Sequence, residues 1–344
     1  MAYETGTATD CFDFFERLID FLTTDPTLVA DSQNWVVVWT PDSNSLGENG
    51  TDIVIRGPGL TASDQVYIGM RLVTNLLNDS SWIEIVGMTG IIPSAENYDE
   101  HVNVTPNGGV RIHLRGNNPM DYWFSANGRR FAGCVQVSTV YEGFYCGLFL
   151  PYGDPTQYSY PLFIGGTSGN SSGSGEILDW RSTDAAHSNF TRSEIDTTPS
   201  SPFGPSAQML SPSGEWLTVA QSANESQIVG VTPWEFHDDG TSWRIEKNNG
   251  SSQKGYTGHH ARIIQAYDGE FPLTPIGLPQ RGPNRTFYGV LEGVYHVPGR
   301  GNSAENVVLA NGLDHICFPN IFRTDIFEFW ALALGLPEDS NSAS

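Results

Sequence analysis

From Asp10 to Leu22, the apolar residues Phe12, Phe15, Ile19 and Leu22 recur at helical spacing, and Phe14, Leu18 and Phe21 widen the stripe. Thr9 or Asp10 is placed to cap the helix, since a short side-chain oxygen there accepts from free N–H groups of the first turn. A stripe this broad needs cover, from the protein's own core or from another subunit, and the core is the expected cover.

After this helix the period changes to short β-type runs separated by Gly, Pro, Asn and Asp. Strands are predicted at Trp35 to Thr40, Thr51 to Arg56, Gln65 to Val73, Trp82 to Met88, Val110 to Arg115, Tyr122 to Ser125, Arg129 to Thr139 and Glu142 to Leu150. They follow one another without helical spacers, which predicts antiparallel pairing. Between Tyr122 and Phe131, Asn127-Gly128 suits a type I′ hairpin turn, whose two central residues need positive φ. The run Gly165 to Gly175 is almost entirely Gly and Ser, so it reads as a surface loop or linker, extended by the polar stretch to Ser206.

Beyond it, strand patterns resume at Leu217 to Ala220, Ser242 to Glu246, Ala261 to Tyr267, Arg285 to His296, Val307 to Leu309 and Gly312 to Phe318. Ile321 to Leu334 fits either a strand or a terminal helix. The expected class is mainly β (α+β), with antiparallel sheets or a sandwich and an N-terminal amphipathic helix. The expected organisation is a helix-plus-β domain over 1–166, a linker over 167–206, and a β-rich region over 207–344 that packs on the first domain.

Charge narrows the partners. Lys plus Arg number 17 against 39 Asp plus Glu, a formal charge of −22. Such a surface repels phosphate backbones and anionic lipid, so neither nucleic acid nor membrane is an expected partner. Only Lys247 and Lys254 are lysine; the arginine bias reflects either interface use, where a planar fork pairs and stacks, or genome composition. The opening residues lack the basic and apolar regions of a secretory signal, so synthesis in the cytoplasm is expected. Cys11, Cys134, Cys146 and Cys317 show no C-x-x-C spacing or paired framework and are expected to be buried thiols, with no metal or other cofactor.

Candidate chemistry is sparse. Phosphate loops, nucleophile elbows and zincin signatures are missing from the sequence. His237-Asp238-Asp239 and His259-His260 are the local histidine clusters, but neighbours on a strand point to opposite faces, so neither pair converges by itself. With 39 carboxylates, a glycosidase-like pair has no specificity as a signal. Trp180, Trp216, Trp234 and Trp243 lie in polar surroundings and are candidates for stacking on sugar rings, against packing as the alternative. Arg129 and Arg130, beside the predicted turn, are the candidate interface residues: both guanidinium groups are expected to meet a neighbouring subunit's carboxylates without disturbing the core.

Three stretches carry a family resemblance. They are Met1 to Ala8 with the helix that follows and Ile53-Val54-Ile55-Arg56-Gly57-Pro58-Gly59-Leu60; Tyr122 to Phe131; and Gly147 to Tyr152 running into Tyr160 to Gly166. Together they resemble uncharacterised virion proteins of the neck and tail region of tailed bacteriophages and prophages. The likeness is strongest over 1–166, weaker from Gly312 to Leu334, and transfers no active-site residue. It implies a non-enzymatic structural component of the virion, in the neck or collar, the tail or a head decoration, whose partners are other virion proteins and copies of itself. A tail-fibre or receptor-binding module that contacts host surface glycan is the alternative, and a polysaccharide depolymerase a further one.

Overall fold

Asp10 opens the N-terminal helix, α1 (Cys11–Thr24), as its cap: its Oδ1 accepts from Phe12 N and Asp13 N, both at 2.9 Å. Asp13 reaches back to Thr9 N at 2.8 Å and pairs with Arg17 one turn on. The helix stops at Asp25 because Pro26 forces its predecessor out of the helical region, and Asp25 then caps the short α2 (Pro26–Ala30). This computed structural model describes residues 1–41, 51–59, 64–106, 108–153, 157–168, 180, 188–191, 207–219, 271–279, 286–299, 301–310, 312–319, 321–322 and 328–335.

The strands form three sheets, and every strand pair among the described residues is antiparallel, as expected. The central sheet runs β1 (Ala2–Ala8), β7 (Met120–Ala126), β8 (Arg130–Val137), β9 (Val140–Leu148), β11 (Leu162–Gly165), β14 (Ala207–Leu210) and β15 (Trp216–Val219), with β20 (Ile321–Phe322) also pairing β9. The second runs β13 (Ser188–Asn189), β12 (Thr167–Ser168), β6 (Val110–Leu114), β5 (Ser80–Met88), β4 (Val66–Asn75), β3 (Thr51–Gly57) and β2 (Val36–Trp39). The third runs β10 (Leu150–Pro151), β17 (Phe287–Pro298), β21 (Glu328–Ala333), β19 (Leu313–Pro319) and β18 (Val307–Ala310), with β16 (Thr274–Pro279) on β17. The protein is therefore mainly β with a single long helix.

The central sheet is covered on both faces. Successive residues of β9 enter different cores: Phe144 and Cys146 join the cluster formed with α1 and the second sheet, whereas Tyr141 and Tyr145 join the one formed with the third sheet. Every residue of β9 is consequently buried, and apart from Glu142 its sequence lacks the apolar–polar alternation of a half-exposed strand. On the helix side Phe14 packs edge-on against Phe124 at 5.4 Å between centroids. On the other side Trp330 leans on Phe318 at 5.2 Å and meets Phe190 edge-on at 5.6 Å.

Several expectations are corrected here. Residue 166 is no boundary between sheets: β12 and β13, from the expected linker, join the second sheet, and β14, β15 and β20 complete the central one. The physical reason is that a buried strand cannot leave its edge unpaired, so the far edge of β11 is satisfied by chain from beyond residue 206. Gly165, Gly166, Thr167 and Ser168 are ordered in or beside strands, and 169–175 lie outside the described residues. Of Ile321 to Leu334, for which a strand and a terminal helix were both open, Ile321–Phe322 and Glu328–Ala333 are strands. The strand patterns at Ser242 to Glu246 and Ala261 to Tyr267 lie outside the described residues.

All four cysteines are buried free thiols. Burial raises each of them, Cys317 to about 11, and Cys134 and Cys146 are raised well above their ordinary value. Because the thiolate is the reactive form, Ellman's reagent at mildly alkaline pH should label none of them until denaturant is added. Rapid labelling of any one in the native protein would show that its burial is incomplete.

Candidate functional site

The hairpin joining β7 to β8 is where a partner contact was expected, and its chemistry turns out to be internal. Neither Asn127 nor Gly128 has positive φ, so the turn is not type I′ at those two residues. Asn127 N donates to Arg130 O at 3.0 Å, and the Asn127 side-chain carbonyl accepts from both Arg129 N and Arg130 N at 3.0 Å. The asparagine side chain thus organises the turn itself. Around it, Trp35 Nε1 donates to Asn127 O at 2.9 Å and Gly59 N to Gly128 O at 2.9 Å, which ties the tip to neighbouring segments of the same chain.

Arg130 is 0% exposed and Arg129 is largely covered, and the carboxylate both approach is Glu292 on β17. Arg129 grips Glu292 bidentately, with Nε to Oε2 at 2.6 Å and Nη2 to Oε1. Arg130 Nε stands 3.9 Å from Oε2, its Nη1 donates to Ser125 O at 3.1 Å, and its Nη2 contacts Met1 Sδ at 2.7 Å. Burial by itself would raise the Glu292 carboxyl; the Arg129 hydrogen bond, the charges of both arginines and the Asn127 amide outweigh it and hold it below the usual range. Gly293, at φ +73°, passes directly over Arg130, and a Cβ there would overlap the Arg130 Nη2. The expectation of two outward-facing arginines is therefore corrected: the neighbour that supplies the carboxylate is the chain's own third sheet.

A second arginine array crosses the outer face of the second sheet. Asp52, Arg71, Glu84 and Arg111 are cross-strand partners on β3, β4, β5 and β6, so their charges alternate along one row. Arg71 binds Asp52 bidentately at 2.7 and 2.6 Å and lies over the Tyr98 ring at 4.5 Å. Arg111 donates to Glu84 at 2.8 Å and lies over Trp82. Internal forks and ring contacts of this kind, which lysine reproduces poorly, account for much of the arginine preference among the described residues.

The indole candidates divide. Trp180 is half-buried, donates to Asp79 O at 2.8 Å and has the Arg115 guanidinium over its ring at 5.2 Å. Trp216 is also half-buried and donates to Asn103 O at 3.0 Å. Both therefore serve packing. Trp234, Trp243, His237-Asp238-Asp239 and His259-His260 lie outside the described residues.

Among the described residues, two sheet edges are apolar and open. β2 ends the second sheet and β18 ends the third, and among the described residues neither has a strand on its outer side. Val37 is 45% exposed on β2; Val307 and Leu309 are 51% and 56% exposed on β18. Neither strand contains a charged residue or a proline, the usual guards of an exposed edge, although β2 carries a register shift between Val37 and Trp39. Beside β2 lies an open groove of about 830 Å³ with a mixed polar and apolar lining, formed by residues 37–41 and by Ile91, Pro93, Ser94, Ala95 and Glu96.

Sequence reasoning located both strands but not their edge positions, because pairing order is not written in a strand's own residues. No protein-family model and no curated protein matches this chain.

Proposed function

We propose that the chain is a structural, non-enzymatic protein of a tailed phage particle that works by docking its sheet edges on neighbouring virion proteins and on copies of itself. The observation that carries this reading is that β2 and β18 are, among the described residues, open sheet edges that are apolar and uncharged. A strand edge is a row of unsatisfied N–H and C=O groups, and a protein that leaves two such edges apolar has surfaces suited to strand or face contact with a partner. The net charge of −22 keeps free copies apart and soluble until a matching surface is offered. The phage setting rests on the sequence resemblance; the edges supply its mode of action.

The test uses particles produced by the phage or prophage that encodes the chain. Val37→Lys and Leu309→Lys, made separately, place a charge on each exposed edge and should leave the thermal midpoint of the free protein nearly unchanged. At least one should reduce the copies of this protein per purified particle by about tenfold or more, in line with the ~1.4 kcal/mol or more that a tenfold loss represents. Absence of the wild-type chain from purified particles would overturn the reading, as would normal copy number in both variants.

A further inference from the structure

The chain from Thr89 to Thr105 leaves the end of β5 and returns to it, with Thr105 N donating to Gly87 O at 2.9 Å. Its neck is closed by Thr89 N on Val102 O at 3.0 Å and Val102 N on Gly90 O at 3.1 Å. Just inside the neck stands His101, 8% exposed, its ring edge-on to Trp39 of β2 at 5.1 Å between centroids. The His101 Nδ1 meets Ile92 N at 3.1 Å. A backbone N–H can only donate, so Nδ1 accepts and the ring is neutral, with its hydrogen on Nε2. That Nε2 is buried and has no hydrogen-bond partner among the described residues. The rest of the loop is held by other groups: Glu100 accepts from Glu96 N at 3.0 Å, and the Tyr98 hydroxyl donates to Glu84 at 3.0 Å.

One proton undoes the neck. A protonated Nδ1 points a second N–H at the Ile92 N–H, and the buried ring gains a charge that its present position cannot solvate. We propose that His101 is an acid-released latch: when Nδ1 takes a proton, the neck opens and the loop lifts from the second sheet, uncovering Trp39 and the apolar cluster it forms with Val54, Val86 and Met88. Burial holds the closed ring below its ordinary 6.5, against the attraction of Glu100 and Asp99 on the loop itself. Trp39 from β2 brings no charge; Arg71 of β4 is engaged by Asp52, and Glu84 of β5 by Arg111 and Tyr98. Because the closed value lies below the opened one, the latch holds fully above about 6.5 and weakens as pH falls from there toward the depressed value. Glu100, which the Asn97 side chain and Glu96 N hold below its ordinary 4.5, titrates in a lower range. The latch is independent of the assembly reading.

Amide hydrogen exchange of the full chain, corrected for the intrinsic pH dependence of exchange, is the test. Protection at Ile92 and Val102 should fall several-fold between about pH 7 and about pH 5, by no more than about tenfold per pH unit, the limit for one proton. Strands β4 and β5 should keep theirs. His101→Asn supplies a side-chain oxygen as acceptor and does not titrate, so its loop should stay protected across the range. Constant protection in the wild-type protein would overturn the proposal, as would the same fall in His101→Asn or a fall shared by β4 and β5. Should the asparagine variant leave the loop unprotected even at pH 7, nitrogen NMR of the wild-type ring decides: Nε2 should carry the hydrogen at pH 7, and loss of loop protection should follow the ring's titration. A ring protonated on Nδ1 at pH 7, or protection lost while the ring is still neutral, would overturn it.

Discussion

Replacing Glu292 by glutamine should destabilise the protein by roughly 3–5 kcal/mol, the usual consequence of removing one partner from a buried ion pair. Arg130 is fully buried, and Arg129 is held bidentately by the same carboxylate, so the substitution leaves guanidinium charge without its counter-ion between the central and third sheets. The measurement is a denaturant midpoint compared with wild type, monitored by tryptophan fluorescence. Acid titration provides a second readout. The folded-state value of Glu292 lies below its ordinary 4.5, so its stabilisation is complete above that pH and is lost as pH falls through the depressed value. The glutamine variant should lack this component of the acid limb. For the same reason Arg129→Ala with Arg130→Ala should weaken the fold itself, because it strands Glu292 in the interior. An unchanged midpoint together with an unchanged acid limb in Glu292→Gln would show that the clamp contributes nothing.

Deleting residues 1–22 should make the remaining chain aggregate. The deletion removes β1 from the edge of β7 and strips away most of α1, whose Phe14, Phe15, Leu18, Phe21 and Leu22 are all buried. Each such side chain contributes about 1.5–3 kcal/mol of burial, so together they rival the whole stability of an ordinary domain, about 5–15 kcal/mol. The newly exposed surface includes Tyr122 and Phe124, stacked at 4.3 Å between centroids, alongside an unpaired strand. Sedimentation and light scattering of the truncated chain should show insoluble or high-mass material. A monomeric truncate with the wild-type midpoint would mean that the helix is not a necessary cover.

Local pattern was enough for what depends on local physics. The 3.6-residue stripe and the cap at Asp10 placed α1, and period-two or continuous apolar runs placed most central strands within a few residues. β1 escaped because an edge strand with one half-covered face, reading Ala-Tyr-Glu-Thr-Gly-Thr-Ala, has almost no apolar signature. The turn at Asn127 escaped for a different reason: the asparagine side chain, not positive backbone φ, closes it.

What only the tertiary structure decided is which strands are neighbours and where charges end up. Arg129 and Glu292 are 163 positions apart, and nothing near either residue announces the other. Their meeting depends on the third sheet folding onto the central one, and that brings a pair that reads as solvated surface into the core. The same holds for β2 and β18: the residues of a strand state that it will pair, but whether its second edge is filled depends on the order of the whole sheet. The sequence by itself determined a β-rich chain with one covered helix and an acidic composition; long-range packing determined that Arg129 and Arg130 turn toward Glu292 and that, among the described residues, β2 and β18 end their sheets as apolar edges, because sheet order and ion pairing are set by contacts between distant segments.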